Sequence, residues 1–291
     1  VATGKQITMV VNPLPVVVIT DPAGVCSPAT VNITASSVTA GSDANLTFTY
    51  FTDAAATVPL SNPNAVGVTG TYFIKGTTAA GCSTVKPVQV TINPLPVVVI
   101  TNPAAVCSPA TVDITAPAVT AGSGAGLTYT YFTDAAATNV LNNPNAVAAT
   151  GIYYIKATTV FGCVTFSPVT VTINPLPTAV ITGGGVLCRG DKKTLDIIFT
   201  GTAPFTVTYS DGSSTFTINS ITTSPYFLVV SPTVNTTYTL MTVADVNCSN
   251  TATGAASISV GTPIPAIRYT TINSPAITHK PLQDRILHPH D

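Results

Sequence analysis

The chain has 291 residues, of which 7% are charged, against about 25% in an ordinary soluble domain. Its acidic residues are all Asp, and the net charge is −1, so no basic face is available for phosphates and nucleic-acid binding lacks its electrostatic drive. A hydrophobic content of 45% argues against disorder, and no apolar run reaches the ~18 residues of a membrane-spanning helix, so no direct membrane insertion is expected. What remains is Val, Ile, Thr and Tyr punctuated by Gly, Asn and 24 prolines. This is an all-β composition.

Residues 1–11 align with the stretch that precedes the next Asn-Pro-Leu-Pro. They read as the last strand of a preceding repeat, and the chain as a mature internal segment of something longer. Such a strand needs a partner for its edges, either a neighbouring repeat or, by strand donation, another chain. Asn12-Pro13-Leu14-Pro15 then recurs as Asn93-Pro94-Leu95-Pro96 and Asn174-Pro175-Leu176-Pro177, each time 81 residues on. Residues 12–92 and 93–173 are therefore two copies of one unit, differing at about 22 positions. Residues 174–262 keep the opening of the unit and then diverge, as a relative rather than a copy. Residues 263–291 read as a linker or the start of a following segment. The proline-rich joints fix φ and favour extended backbone, so they should be short and stiff.

Within the first copy, period-2 alternation predicts strands at 16–20, 29–35, 46–52, 70–78 and 87–92. Val31, Tyr72, Ile74 and Val88, with their equivalents Val112, Tyr153, Ile155 and Val169, fall on the apolar faces and are the expected core. Five to seven short strands in 81 residues suit an immunoglobulin-like β-sandwich. The predicted fold is thus all-β: tandem sandwich modules.

The six cysteines follow the repeat. Cys26, Cys107 and Cys188 are spaced by 81, as are Cys82 and Cys163, with Cys248 following 85 later. Of the 15 possible connectivities, the simplest gives each module one bridge: Cys26–Cys82, Cys107–Cys163 and Cys188–Cys248. Disulfides place the chain in an oxidising, extracellular compartment. Zinc is the competing reading, but no Cys-x-x-Cys pair and no nearby His accompany them, so no metal and no other cofactor is expected.

Catalytic signatures are missing. The histidines are His279, His288 and His290, all in the tail, so no Ser–His–Asp or Cys–His arrangement fits inside a module. His288 and His290 read as a tail rather than a metal site. Asp53 and Asp134 occupy equivalent Thr-Asp-Ala-Ala-Ala-Thr segments with no second carboxylate nearby, which reads as turn formation rather than acid–base chemistry. The glycines at 183–185 lack the lysine of a phosphate loop and read as a loop between strands. Asn32-Ile33-Thr34 and Asn45-Leu46-Thr47 match the glycosylation pattern, which a Thr-rich chain also meets by chance.

Taken together, Val-Cys-Ser-Pro-Ala-Thr-Val at 25–31 and 106–112, Thr-Tyr-Phe-Thr-Asp-Ala-Ala-Ala-Thr at 49–57 and 130–138, Asn-Pro-Asn-Ala-Val at 62–66 and 143–147, and Asn-Pro-Leu-Pro form a recognisable repeat. It resembles the Ig-like repeat of giant Bacteroidota cell-surface proteins, including gliding-motility adhesins exported by the type IX system. Residues 202–212 and 231–240 resemble a second, PKD-like repeat of the same proteins. The resemblance implies a non-enzymatic segment of a cell-surface adhesin or stalk. Its partners would be neighbouring repeats of the same long chain, and its distal ligand is not specified. The alternative is a filament or sheath subunit whose partners are copies of itself, which a near-zero net charge favours.

Overall fold

The computed structural model describes residues 9–261. Most of the expected orphan strand, the expected linker at 263–291 and all three histidines lie outside the described residues. The chain divides into two compact units, Val1–Leu176 and Pro177–Asp291. The first unit holds both copies of the repeat.

Each copy is built on a three-stranded antiparallel sheet. In the first copy it consists of Thr47–Phe51, Gly70–Thr77 and Ser83–Val90, and in the second of Thr128–Phe132, Gly151–Thr158 and Val164–Val171. The register puts Tyr50 opposite Ile74 and Tyr72 opposite Val88, so the apolar set of each strand lands on one face. The two longer strands meet at a turn in which the Thr78 N–H donates to the Cys82 carbonyl at 2.9 Å. Gly81 closes that turn at φ +86°, where a Cβ would be strained. A short parallel pair, Val25–Cys26 with Ile92–Asn93, finishes the copy, and Val106–Cys107 with Ile173–Asn174 repeats it.

The core of the first copy is seven buried residues: Val31, Ile33, Val38, Val66, Ile74, Val88 and Val90. The second copy buries the equivalent seven. Ile74, Val88, Ile155 and Val169 are fully enclosed, and Val31 and Val112 nearly so. Tyr72 and Tyr153 differ from expectation. They pack against the core only in part, because each phenol reaches the rim, where it donates to the Val68 or Ala149 carbonyl at 3.0 Å.

Two expected strands of the first copy are not regular strands. Residues 16–20 have no ladder partner. The Val16 and Val18 N–H groups donate to the Asp43 carboxylate at 2.7 Å and the Ser42 hydroxyl at 2.9 Å. Residues 29–35 form one isolated bridge, Val31 with Val66, and then turn. Their alternation is nonetheless real: Val17, Val31 and Ile33 are buried while Val16, Val18, Asn32 and Thr34 are exposed. Extended backbone fixes which side chains face inward, whether or not a neighbouring strand supplies the hydrogen bonds.

The second unit is a fuller sandwich. One sheet orders Thr178–Thr182, Lys193–Thr200 and Tyr226–Val230. The other contains Gly185–Cys188, Ala255–Gly261, Thr236–Ala244, Phe205–Ser210 and Thr215–Ile221, with Ser249–Thr251 paired to Thr236–Ala244. Its core has 18 buried residues, among them the stacked pair Phe199 and Phe205. The glycines between the first strands of the two sheets are there for packing. A Cβ on Gly184 would stand 2.6 Å from the Ser257 carbonyl, and one on Gly183 2.9 Å from that of Thr194. The chain is an all-β protein of tandem immunoglobulin-like sandwiches.

Candidate functional site: a disulfide across the joint

The cysteines are not paired as expected. Cys26 is bonded to Cys163, with Cα atoms 5.5 Å apart, while Cys82 and Cys188 are thiols. Cys107 and Cys248 are each disulfide-bonded. The expected Cys26–Cys82, Cys107–Cys163 and Cys188–Cys248 bridges are therefore all overturned. The bond of the first unit joins one copy of the repeat to the next.

Geometry dictates this. Cys26 lies opposite Asn93 in the short parallel pair, at the end where the first copy finishes. Cys82 lies at the other end: its Sγ is 3.8 Å from the carbonyl of Asn12, the residue that opens the copy. Between Cys82 and Asn93 runs the strand Ser83–Val90 and its continuation, 11 residues of extended chain, about 35 Å. A disulfide tolerates a Cα separation of about 4.4–6.8 Å. A bridge within one copy would have to span the length of the sandwich. Across the joint the distance vanishes, because Cys163 is the second copy's equivalent of Cys82. Its Sγ lies 4.0 Å from the Asn93 carbonyl, and the Ser27 N–H beside Cys26 donates to that same carbonyl at 2.9 Å.

The Asn-Pro-Leu-Pro segment of each copy is anchored within that copy by a threonine hydroxyl. The Thr165 hydroxyl donates to the Pro96 carbonyl at 3.0 Å, as Thr84 does to Pro15 at 2.8 Å. These bonds tie each Asn-Pro-Leu-Pro segment to the last long strand of its own copy. Cys163 is 1% exposed, so its sulfur is shielded from attack by external thiols, while Cys26 is half-buried.

Elsewhere the polar residues singled out by sequence do structural work. The Asp53 carboxylate accepts from the N–H groups of Thr57 and Val58 and from the Thr57 hydroxyl. Those bonds, led by that of Val58, hold its pKa below the ordinary value. Asp134 repeats the arrangement with Thr138 and Asn139, and its pKa is lowered chiefly by the Asn139 and Thr138 N–H groups. Both carboxylates are engaged in their own turns. Asn32 accepts from the Thr34 N–H and hydroxyl, and both Asn32 and Asn45 are exposed. Among the described residues, no group of three or more His, Cys, Asp or Glu is placed to hold a metal.

No protein-family model matches the chain, and no curated protein matches it. Solved structures similar to it include the I-band fragment I67–I69 of titin. That fragment is 12% identical, with 87% of this chain and 100% of that one covered and a TM-score of 0.45. The insect immune protein hemolin is 11% identical over 85% and 76% of the two chains, with a TM-score of 0.29. A 1.5-MDa bacterial ice-binding adhesin is 14% identical over 66% and 74%, with a TM-score of 0.32. Identities this low concern fold alone.

Proposed function

We propose that this chain is a load-bearing segment of an extracellular surface stalk, non-enzymatic, with repeats at 12–92, 93–173 and 174–262 in series. The repeat motifs resemble those of Bacteroidota surface adhesins, and the disulfides require an oxidising compartment outside the cytoplasm. One observation carries the mechanical reading: the bond from Cys26 to Cys163 crosses a joint between repeats.

The bond changes how tension travels. A pull that enters at Asn12 reaches Cys26 along the backbone and passes through sulfur to Cys163 in the second copy. The intervening chain, a sequence separation of 137 residues, is taken off the force path. A bond inside each copy would shorten each one separately; a bond across the joint also makes the joint itself covalent twice over. The sandwich then serves to set spacing and angle, and the thin seven-residue core is not what resists extension.

Single-molecule stretching tests this. With disulfides reduced, unfolding of the first copy should release its 81 residues, about 280 Å of contour. With the Cys26–Cys163 bond intact it should release only residues 12–26, about 50 Å. A full-length step in the oxidised protein would show that load does not pass through the bond.

A further inference from the structure

Cys82 and Cys188 are thiols in a chain whose other four cysteines are bonded. By repeat position, Cys188 is the equivalent of Cys26, and Cys82 is the equivalent of Cys163. Their equivalents are bonded to each other.

The backbone around each thiol is already set as it is around its bonded counterpart. Cys82 sits in a turn where its N–H donates to the Thr78 hydroxyl at 3.2 Å and Gly81 has φ +86°. Cys163 sits in the same turn, with Thr159 at 3.1 Å and Gly162 at φ +81°. The Cys82 Sγ is 3.8 Å from the Asn12 carbonyl, as that of Cys163 is 4.0 Å from that of Asn93. Cys188 ends the strand Gly185–Cys188, which pairs in parallel with Ile258–Gly261 and places Cys188 opposite Gly261. Cys26 is placed opposite Asn93 in the same way. Cys188 is exposed and Cys82 half-buried, whereas the bonded Cys163 is enclosed.

We propose that Cys82 and Cys188 are complementary halves of one further joint. The end that carries Cys188 accepts the opening end of a repeat of this kind, and the end that carries Cys82 presents such an opening. For this chain on its own, the partner is a second copy, joined head to tail from Cys188 to Cys82. This rests on the joint described above as the unit of the stalk, and extends it to the assembly of one segment with the next.

The chemistry balances with a disulfide oxidant such as glutathione disulfide. The Cys82 thiolate attacks the oxidant and expels one glutathione thiolate. The Cys188 thiolate of the second copy then attacks Cys82 in the mixed disulfide and expels the other. Two protein thiols become one disulfide, and one glutathione disulfide becomes two glutathione thiols.

Two variants test the pairing, Cys82→Ser and Cys188→Ser, each losing a thiol that carries no bond. Each is incubated alone, and then both together, with glutathione disulfide, and read by non-reducing mass. Either variant alone should stay monomeric, and the mixture should give a species of doubled mass containing the Cys82–Cys188 bond. The unaltered chain should give a ladder of multiples. A dimer from either variant alone means that symmetric pairing of exposed thiols is sufficient, and overturns the proposal. So does a mixture that stays monomeric. Peptide mapping of the same samples reports the Cys26–Cys163 bond separately, so failure of the head-to-tail joint is distinguishable from failure of the internal one.

Discussion

Replacing Cys26 with Ser should destabilise both copies in the first unit, by about 4 kcal/mol each. While the second copy is folded, its Cys163 and Asn93 are held together. A bond to Cys163 therefore ties Cys26 to Asn93 and closes a loop of about 70 residues in the unfolded first copy. While the first copy is folded, the same bond closes a loop of similar length in the unfolded second, from Asn93 to Cys163. The chain-entropy cost of opening a loop of that size is about 4 kcal/mol. One cross-link thus acts on two neighbours, which a bond inside a single sandwich could not do. Denaturant titration at constant m-value measures it. Cys163→Ser should give the same loss, and Cys82→Ser almost none. A loss confined to the first copy would contradict the clamp.

The second large effect is in the core. Ile74→Ala should cost about 2–5 kcal/mol, and Ile155→Ala the same in the second copy. Both side chains are fully enclosed, and each is one of only seven buried residues in its core, so little packing remains to close over the cavity. Thr71, on the other face of the same strand and exposed, should tolerate Ala within about half a kcal/mol. Thermal unfolding compares the pair. Similar losses at Ile74 and Thr71 would mean that the inward face is misassigned.

Much of the fold was legible in the sequence because alternation reports burial directly. Residues 46–52 and 70–78 are expected as strands and contain Thr47–Phe51 and Gly70–Thr77, while 87–92 covers only the second half of Ser83–Val90. Residues 16–20 and 29–35 carry the same alternation and bury the expected side chains, yet form no ladder. The period of two says which way a side chain points. It does not say whether Asp43 and Ser42 or another strand will satisfy the backbone. That depends on what folding brings alongside.

The cysteines illustrate the same limit in a sharper form. Spacing by 81 identifies Cys26 with Cys107 and Cys82 with Cys163, but it fits a bond within a copy and a bond across a joint equally well. The discriminating signal was local. Cys82 follows the hairpin glycine, and the chain after it runs through Ser83–Val90 and on to Ile92–Asn93, so Cys82 must lie one strand length from the joint near which Cys26 sits. A pairing rule that counts modules overlooks this, and one that measures strands does not.

The most direct measurement is disulfide mapping of the oxidised chain after alkylation of free thiols. Cleavage on the N-terminal side of Asp gives peptides 21–42, 53–112 and 134–190, which contain Cys26, Cys82 with Cys107, and Cys163 with Cys188. Peptide 21–42 should be linked to 134–190, with the alkyl label on Cys188 and on Cys82. Peptide 21–42 linked instead to 53–112 through Cys82 would place the bond inside one repeat, and would contradict the clamp across the joint.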